Sequence, residues 1–174
     1  LKGRIDAYKE GIANCTEPLG QFMNDNVMMT NAVVCVADSK RAREIAMSSG
    51  RGYLNTMVNL YHSTMPKQKN AVIWPDSPPS IDSDATLDFL IEKGYLLCGN
   101  PDEVNEQIAK YQDVGCDQLV FGLPNEGFEH EEVFEMLELF GTEVIPNFDT
   151  DPEHRTTRFR RESKRRHPDF AEPM

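Results

Sequence analysis

The sequence has no long apolar run, no leader pattern and no glycine-rich phosphate loop. None of its segments approaches the ~20 consecutive apolar residues that a membrane-spanning helix requires, so no membrane association is expected. Neither a charged leader nor a cleavage site follows Leu1. This absence predicts a soluble protein without a signal peptide, whose native start lies further upstream.

The four cysteines do not form pairs in the sequence. Cys15, Cys35, Cys98 and Cys116 are scattered, without a C-x-x-C motif. This spacing favours reduced thiols in a cytoplasmic setting over a disulfide framework or a zinc site. Because Cys35 and Cys98 lie within apolar runs, we expect both to be buried strand residues and not nucleophiles.

What the sequence does have is a strand–helix rhythm, on a chain of 174 residues of which 39% are hydrophobic. Apolar runs predict strands over residues 27–37, 95–98 and 118–122. Apolar residues at helical spacing predict helices over 1–13, from 38 or 39 through 46 with an extension to 61, 86–92, 101–114 and from 131 onward. A strand, a helix and a second strand joined by short connections imply that the two strands are parallel and that the crossover is right-handed.

The best-defined helix start is the segment GNPDEV at residues 99–104. Asn100 is a favoured N-cap, Pro101 suits the first helical position, and Glu103 completes the pattern of a capping box. Gly115 is expected to end this helix. The apolar run at 118–122 is nearly continuous, which predicts a strand covered on both faces.

A parallel sheet of three strands leaves its edges open, whereas eight strand–helix units close into a barrel with a filled interior. Residues 1–150 are therefore interpreted as part of a barrel of the α/β class, and residues 151–174 as a basic tail. The apolar surface that an incomplete barrel exposes predicts association with a missing N-terminal half or with a second copy, so a homo-oligomer is expected.

Three segments resemble the C-terminal portion of the bacterial luciferase-like monooxygenases. They are residues 99–104, 115–122 and 131–146, and the resemblance extends less tightly back through 33–37 and 50–61. It implies a TIM (β/α)8 barrel that binds reduced flavin, FMN or a deazaflavin, delivered by a flavin reductase. It further implies an oxidoreductase that uses oxygen on a small organic substrate. On this alignment the chain holds the last three of eight strands, with 95–99 as the seventh and 117–122 as the eighth.

The resemblance also implies where the site lies. The active-site histidine of the family and most of its flavin contacts come from the first five strands, which have no counterpart here. Residues 1–174 alone are therefore expected to be non-catalytic and to supply one wall of the site. The cofactor-binding candidates are Arg51, Tyr53, Gly99 and Asn100, and the adjoining strand ends are residues 30–31 or 36–37, and 122–124. Gly52 occupies the place of the luciferase-type tryptophan, for which Tyr53 would substitute.

A Pro-rich excursion over residues 63–83 is a candidate substrate lid, since loops of this length are often functional. Trp74 either covers bound substrate or packs on its own scaffold. His62 either donates a proton near the flavin or is a helix C-terminal residue favoured by the dipole.

An acidic set follows the last predicted strand: Glu126, Glu129, His130, Glu131 and Glu132. It has no metal-ligand spacing, so the first turn of a helix is favoured over a metal cluster.

Charge is uneven along the chain, whose formal net charge is −11. Residues 151–174 hold seven Lys or Arg and five acidic residues, a net charge of +2, which leaves −13 for residues 1–150. An acidic body repels nucleic acid, and the tail is expected to lie on an acidic surface of its own or a second subunit. Phe159 and Phe170 are its candidate anchors.

Two functions follow from these patterns. The first is a fragment of a flavin-dependent monooxygenase whose site is completed by an N-terminal half. The second is a non-catalytic binding or assembly protein built on a half-barrel, with the basic tail as its contact.

Overall fold

The structure is a computed structural model that describes residues 1–20, 24–48, 83–122 and 128–162. The predictions for Arg51, Tyr53, His62 and Trp74 concern residues outside these ranges. The same holds for Phe170 and for all of the excursion over 63–83 except Ser83.

The described ranges contain the strands and helices that the sequence predicts for them. The strands are β1 Met28–Cys35, β2 Leu96–Gly99 and β3 Gln118–Gly122. The helices are α1 Lys2–Asn14, α2 Ser39–Ser48, α3 Asp84–Glu92, α4 Pro101–Asp113, α5 His130–Leu139, α6 Ile145–Phe148 and α7 Arg155–Glu162. A π-helical turn, Phe140–Val144, joins α5 to α6.

The sheet is parallel, as predicted, and the fold is of the mixed α/β class. β1 lies between the other two strands. It pairs with β2 from Ala32 opposite Leu96 to Cys35 opposite Gly99. On its other side it pairs with β3 from Met28 to Ala32, opposite 118–122. The three strands form an open sheet.

The order of the strands differs from the order expected for consecutive barrel units. In a barrel of successive strand–helix units, β2 and β3 would be neighbours, but here β1 separates them. The physical reason is the length of β1, which has eight residues against four in β2 and five in β3. Its first residues pair with β3 and its last residues pair with β2, so it can bond a neighbour along each edge while helices cover both of its faces.

Alternate residues of β1 feed two hydrophobic clusters on opposite faces of the sheet. One cluster joins Val34, and Val36 just after the strand, to α2, α3 and Met136 of α5. The other joins Val33 and Cys35 to α4 and to the π-helical turn. The helices thus form layers on both sides of the sheet, and β1 is its core strand.

The prediction that residues 118–122 are covered on both faces is wrong. β3 alternates between exposed and half-buried residues, because it is an edge strand. Leu119 and Phe121 pack on the α4 cluster, whereas Val120 on the other face is 40% exposed. An apolar run alone did not distinguish a central strand from an edge strand.

The start of the basic tail lies on the acidic body of its own chain. The Arg155 guanidinium contacts the carboxylates of Asp25, at 2.8 Å, and Asp117, at 2.7 Å. Lys9 of α1 contacts the same two carboxylates. This four-residue group, the Asp117 cluster, ties α1 and α7 to the amino end of β3, while Phe159 is half-buried.

Candidate functional site at the carboxyl edge of the sheet

Parallel α/β sheets place their sites outside the carboxyl ends of the strands. In this chain two helices begin at that edge, α2 after β1 and α4 after β2. The Val36 N–H donates to the Gly99 carbonyl at 3.3 Å. The segments that follow β1 and β2 therefore leave the sheet side by side. The candidate residues Gly99 and Asn100 therefore lie next to Val36 and Ala37.

Asn100 and Glu103 form the predicted capping box. The Asn100 Oδ1 accepts from the Glu103 N–H at 3.0 Å, and the Glu103 carboxylate accepts from the Asn100 N–H at 2.9 Å. Gly99 is needed because Glu103 approaches it closely: a Cβ at position 99 would lie 2.8 Å from the Cβ of Glu103. The backbone there also adopts a φ of 150°, which other residues rarely take.

Glu103 also connects the two helix starts. Its Oε2 accepts a hydrogen bond of 2.6 Å from the Ser39 hydroxyl at the beginning of α2. Asp38 caps α2 by accepting from the Arg41 N–H at 2.7 Å. The amino ends of α2 and α4 are thus held by carboxylates of the chain itself.

Glu135 of α5 places a further carboxylate at the carboxyl edge of the sheet. Its Oε1 accepts from the Ala37 N–H at 3.1 Å, and its Oε2 accepts from Arg41 at 2.9 Å. Helix α5 is therefore fastened across the carboxyl end of β1, where Met136 is fully buried. A bound anion at this edge would have to displace Glu103 or Glu135.

The thiols nearest this edge, Cys35 and Cys98, are buried in β1 and β2, which confirms the prediction that they are buried strand residues. Burial raises the pKa of Cys35 to about 11 and that of Cys98 to about 12. Both thiols are therefore protonated at neutral pH. All four cysteines are free thiols.

The alternative of Thr30 and Asn31 as a site wall does not fit the fold. Both lie inside β1, away from its carboxyl end. Asn31 is buried, and its amide donates to the Tyr111 hydroxyl at 2.7 Å and to the Gly94 carbonyl at 3.0 Å. Tyr111 also donates to Gly94, and burial raises the pKa of its phenol. This polar group is a structural link between β1 and the end of α4.

The acidic set after β3 behaves as the first turn of a helix where it is described. Glu129 is the N-cap of α5, and its capping box is completed by Glu132. Glu131 and Glu132 lie in the first turn. Across the described ranges, no group of three or more His, Cys, Asp or Glu residues is arranged to hold a metal ion.

Sequence reasoning found Gly99, Asn100, Val36 and Ala37 but missed Glu135. The Glu135 contact joins residues 98 positions apart, so no local pattern signals it. Residues 123–124 and the other cofactor and lid candidates lie outside the described ranges.

Replacing Asn100 with alanine is expected to lower the free energy of unfolding by about 0.5–2 kcal/mol, because the α4 N-terminus loses a side-chain acceptor. Asn100→Ser keeps an acceptor and is expected to lose less. Urea denaturation of both variants measures the difference. Equal losses in the two would show that the cap does not stabilise α4.

Comparisons with family models, with curated proteins and with solved structures give no match to this chain. The resemblance to luciferase-like monooxygenases therefore stays an expectation from the sequence, based on residues 99–104, 115–122 and 131–146 and less tightly on 33–37 and 50–61. Among the helices that the structure describes, none is long and apolar enough to cross a membrane.

Proposed function

We propose that this chain is the C-terminal part of a luciferase-like, flavin-dependent monooxygenase with a TIM barrel fold. The observation that carries the proposal is a parallel sheet that remains open. Parallel sheets are normally covered on both faces, yet Met28 is 57% exposed and Val120 is 40% exposed on β1 and β3. Further strands and helices from an N-terminal half would cover this surface.

In the complete enzyme this chain supplies one wall of the site. Gly99 and Asn100 hold a rigid turn at the carboxyl edge, and Arg51 and Tyr53 join them in contacting reduced FMN or a deazaflavin. His62 and Trp74 belong to the substrate lid. The catalytic histidine and the phosphate anchors come from the N-terminal half, because the described carboxyl edge already has carboxylates on its helix starts.

Completing the barrel requires a rearrangement of this sheet. In the barrel the eighth strand pairs with the seventh, so β3 must move beside β2. The outer edge of β2 is held by Gln107, whose side-chain amide bonds both backbone groups of Cys98 at 2.9 and 3.0 Å. Gln107 must therefore release Cys98 when the N-terminal half is added.

A second candidate function is a non-catalytic assembly protein built on the same half-barrel. It is favoured by the carboxylates of Glu103 and Glu135, which fill the positions where a flavin phosphate would bind the helix starts.

Oxygen uptake distinguishes the two functions. A longer chain that includes the upstream half is expected to consume oxygen, with a flavin reductase and a small organic substrate, faster than the reductase alone. Residues 1–174 with the same reductase are the matched control and are expected to add nothing. A longer chain that adds no uptake with FMN or with a deazaflavin would favour the assembly function.

A further inference from the structure

Helix α5 lies across the carboxyl edge of the sheet and covers part of the candidate site. Its residue Met136 packs in the hydrophobic cluster on one face of the sheet, whereas Leu139 and the following Phe140 pack in the cluster on the other face. Between them, Glu135 contacts the backbone of Ala37 just after β1. Access to this end of β1 therefore depends on the position of α5.

In the described part of the chain, the polar contacts between α5 and the rest of the fold run through two carboxylates. Glu135 accepts from the Ala37 N–H at 3.1 Å and from Arg41 at 2.9 Å. Glu132 lies 3.5 Å from the same guanidinium. The Arg41 side chain is 46% exposed, so water and salt ions reach these ion pairs and weaken them. One surface arginine therefore carries the ionic attachment of this helix.

The apolar attachment of α5 is also small. Met136 is the one residue of this helix that is buried. Phe134 and Leu137, on the outward face, are 59% and 52% exposed. Elements that bury few apolar side chains open locally at a lower free energy than the rest of a fold. We therefore expect α5 to open before the sheet unfolds.

The π-helical turn Phe140–Val144 is suited to be the hinge of this opening, since such turns are frequent at functional sites. A Cβ at Gly141 would have no packing neighbour within 4 Å in the described part of the chain, so packing does not fix this position. Beyond it, Val144 is fully buried, and the Glu143 carbonyl accepts from Asn105 of α4 at 3.2 Å. The far side of the turn is thus fixed to α4, while α5 can move about Gly141.

We propose that α5 is a gate over the candidate site, which opens at the π-helical turn when Arg41 releases Glu132 and Glu135. Opening removes the Glu135 carboxylate from the edge and uncovers apolar side chains of the cluster that contains Val36. Glu103 stays on both helix starts. The uncovered surface therefore accepts an uncharged, apolar part of a ligand. That this ligand is a flavin or its substrate rests on the proposed function, whereas the opening itself does not.

Hydrogen exchange at residues 130–139 tests the gate. Arg41→Gln removes the charge that holds both carboxylates and is expected to speed exchange there about threefold to tenfold, with little change in β1. The matched control is Arg43→Gln, which removes an arginine of the same helix that pairs with Asp84 and Asp88 of α3. It does not contact α5 and is expected to change exchange there less than about twofold.

Two outcomes would overturn the proposal. In the first, the Arg41→Gln chain exchanges at 130–139 at the wild-type rate. In the second, exchange rises equally in α5 and β1, which would show that α5 opens only when the whole fold unfolds. Raising NaCl from about 0.1 M to about 1 M is expected to speed exchange of α5 in the wild type but not in Arg41→Gln. The same response to salt in both chains would show that Arg41 does not hold the gate.

Gly141→Ala tests the hinge. Alanine restricts the backbone at this position and has room for its Cβ, so exchange at residues 130–139 is expected to become slower. A rate that stays the same or rises would overturn the assignment of the hinge.

Nile red, an uncharged dye that fluoresces on apolar surfaces, probes the uncovered surface. We expect it to fluoresce more brightly with Arg41→Gln than with Arg43→Gln or the wild type. Equal fluorescence with the three chains would contradict the uncovering of an apolar surface. None of these measurements uses flavin or oxygen, so the failure of the gate and the failure of the proposed enzyme role are distinguishable.

Discussion

Replacing Asp117 with alanine is expected to lower the free energy of unfolding by about 2 kcal/mol. The Asp117 side chain is 10% exposed, and it binds Lys9, Arg155 and the Val27 N–H. Leaving a desolvated donor without its acceptor costs about 1–3 kcal/mol. The middle of this range applies here, because the Val27 N–H loses the Asp117 acceptor whereas Lys9 and Arg155 keep Asp25 as a partner.

The matched control is Asp6→Ala, which removes the acidic partner of the exposed Lys2–Asp6 pair on α1. Exposed pairs of this kind contribute about 0.3–0.5 kcal/mol, since water solvates both groups when the pair breaks. Urea denaturation of both variants gives the comparison. If Asp117→Ala lost no more stability than Asp6→Ala, the Asp117 cluster would not hold α1 and α7 on the sheet.

Stability is expected to fall steeply above pH 9, because Cys35 and Cys98 are buried thiols. Their pKa values in the folded chain are raised to about 11 and about 12 from an ordinary value of 9.0. The unfolded chain therefore loses these protons first as pH rises. The stabilisation is complete below pH 9 and is lost towards pH 11–12. Linkage gives a loss of about 2 kcal/mol between pH 9 and 10, and about 4 kcal/mol by pH 11.

Unfolding of a Cys35→Ala, Cys98→Ala double variant at several pH values tests this assignment. Its free energy of unfolding is expected to change much less between pH 9 and 10 than that of the wild type. Cys15→Ala, at a half-buried position, is the control and is expected to retain the decline. Burial also raises the pKa of Cys116, so this third thiol contributes a part of the decline that the double variant retains. The pKa of Lys9 and that of Tyr111 are raised too, and the interval below pH 10 limits their contribution. The same decline in the double variant would assign it to other groups.

The helices were predictable because their signals are local. The capping box of α4 joins two residues that are three positions apart, and the sequence indicates it through Asn100, Pro101 and Glu103. Strand order carries no such signal. It depends on contacts between separate elements, such as the hydrogen bonds from Gln107 of α4 to Cys98 at the outer edge of β2, which hydrophobic periodicity does not show.

The part of the candidate site that depends on local signals was predictable. Gly99 and Asn100 were identified because a glycine turn and a helix N-cap have recognisable patterns in adjacent residues. The Glu135 contact to Ala37 was not found, because it forms only when α5 crosses the carboxyl edge of the sheet. Its consequence is chemical, since it places a carboxylate at the edge where Gly99 and Asn100 were predicted to bind a cofactor.

The central claim is that flavin chemistry requires this chain together with an N-terminal half. Reduced FMN and a reduced deazaflavin, each titrated anaerobically into residues 1–174 and into the longer chain, test it most directly. The account predicts tight binding of one flavin by the longer chain and weak or no binding by residues 1–174, whose described helix starts are held by their own carboxylates. Tight binding by residues 1–174 alone, or binding of neither flavin by the longer chain, would contradict it.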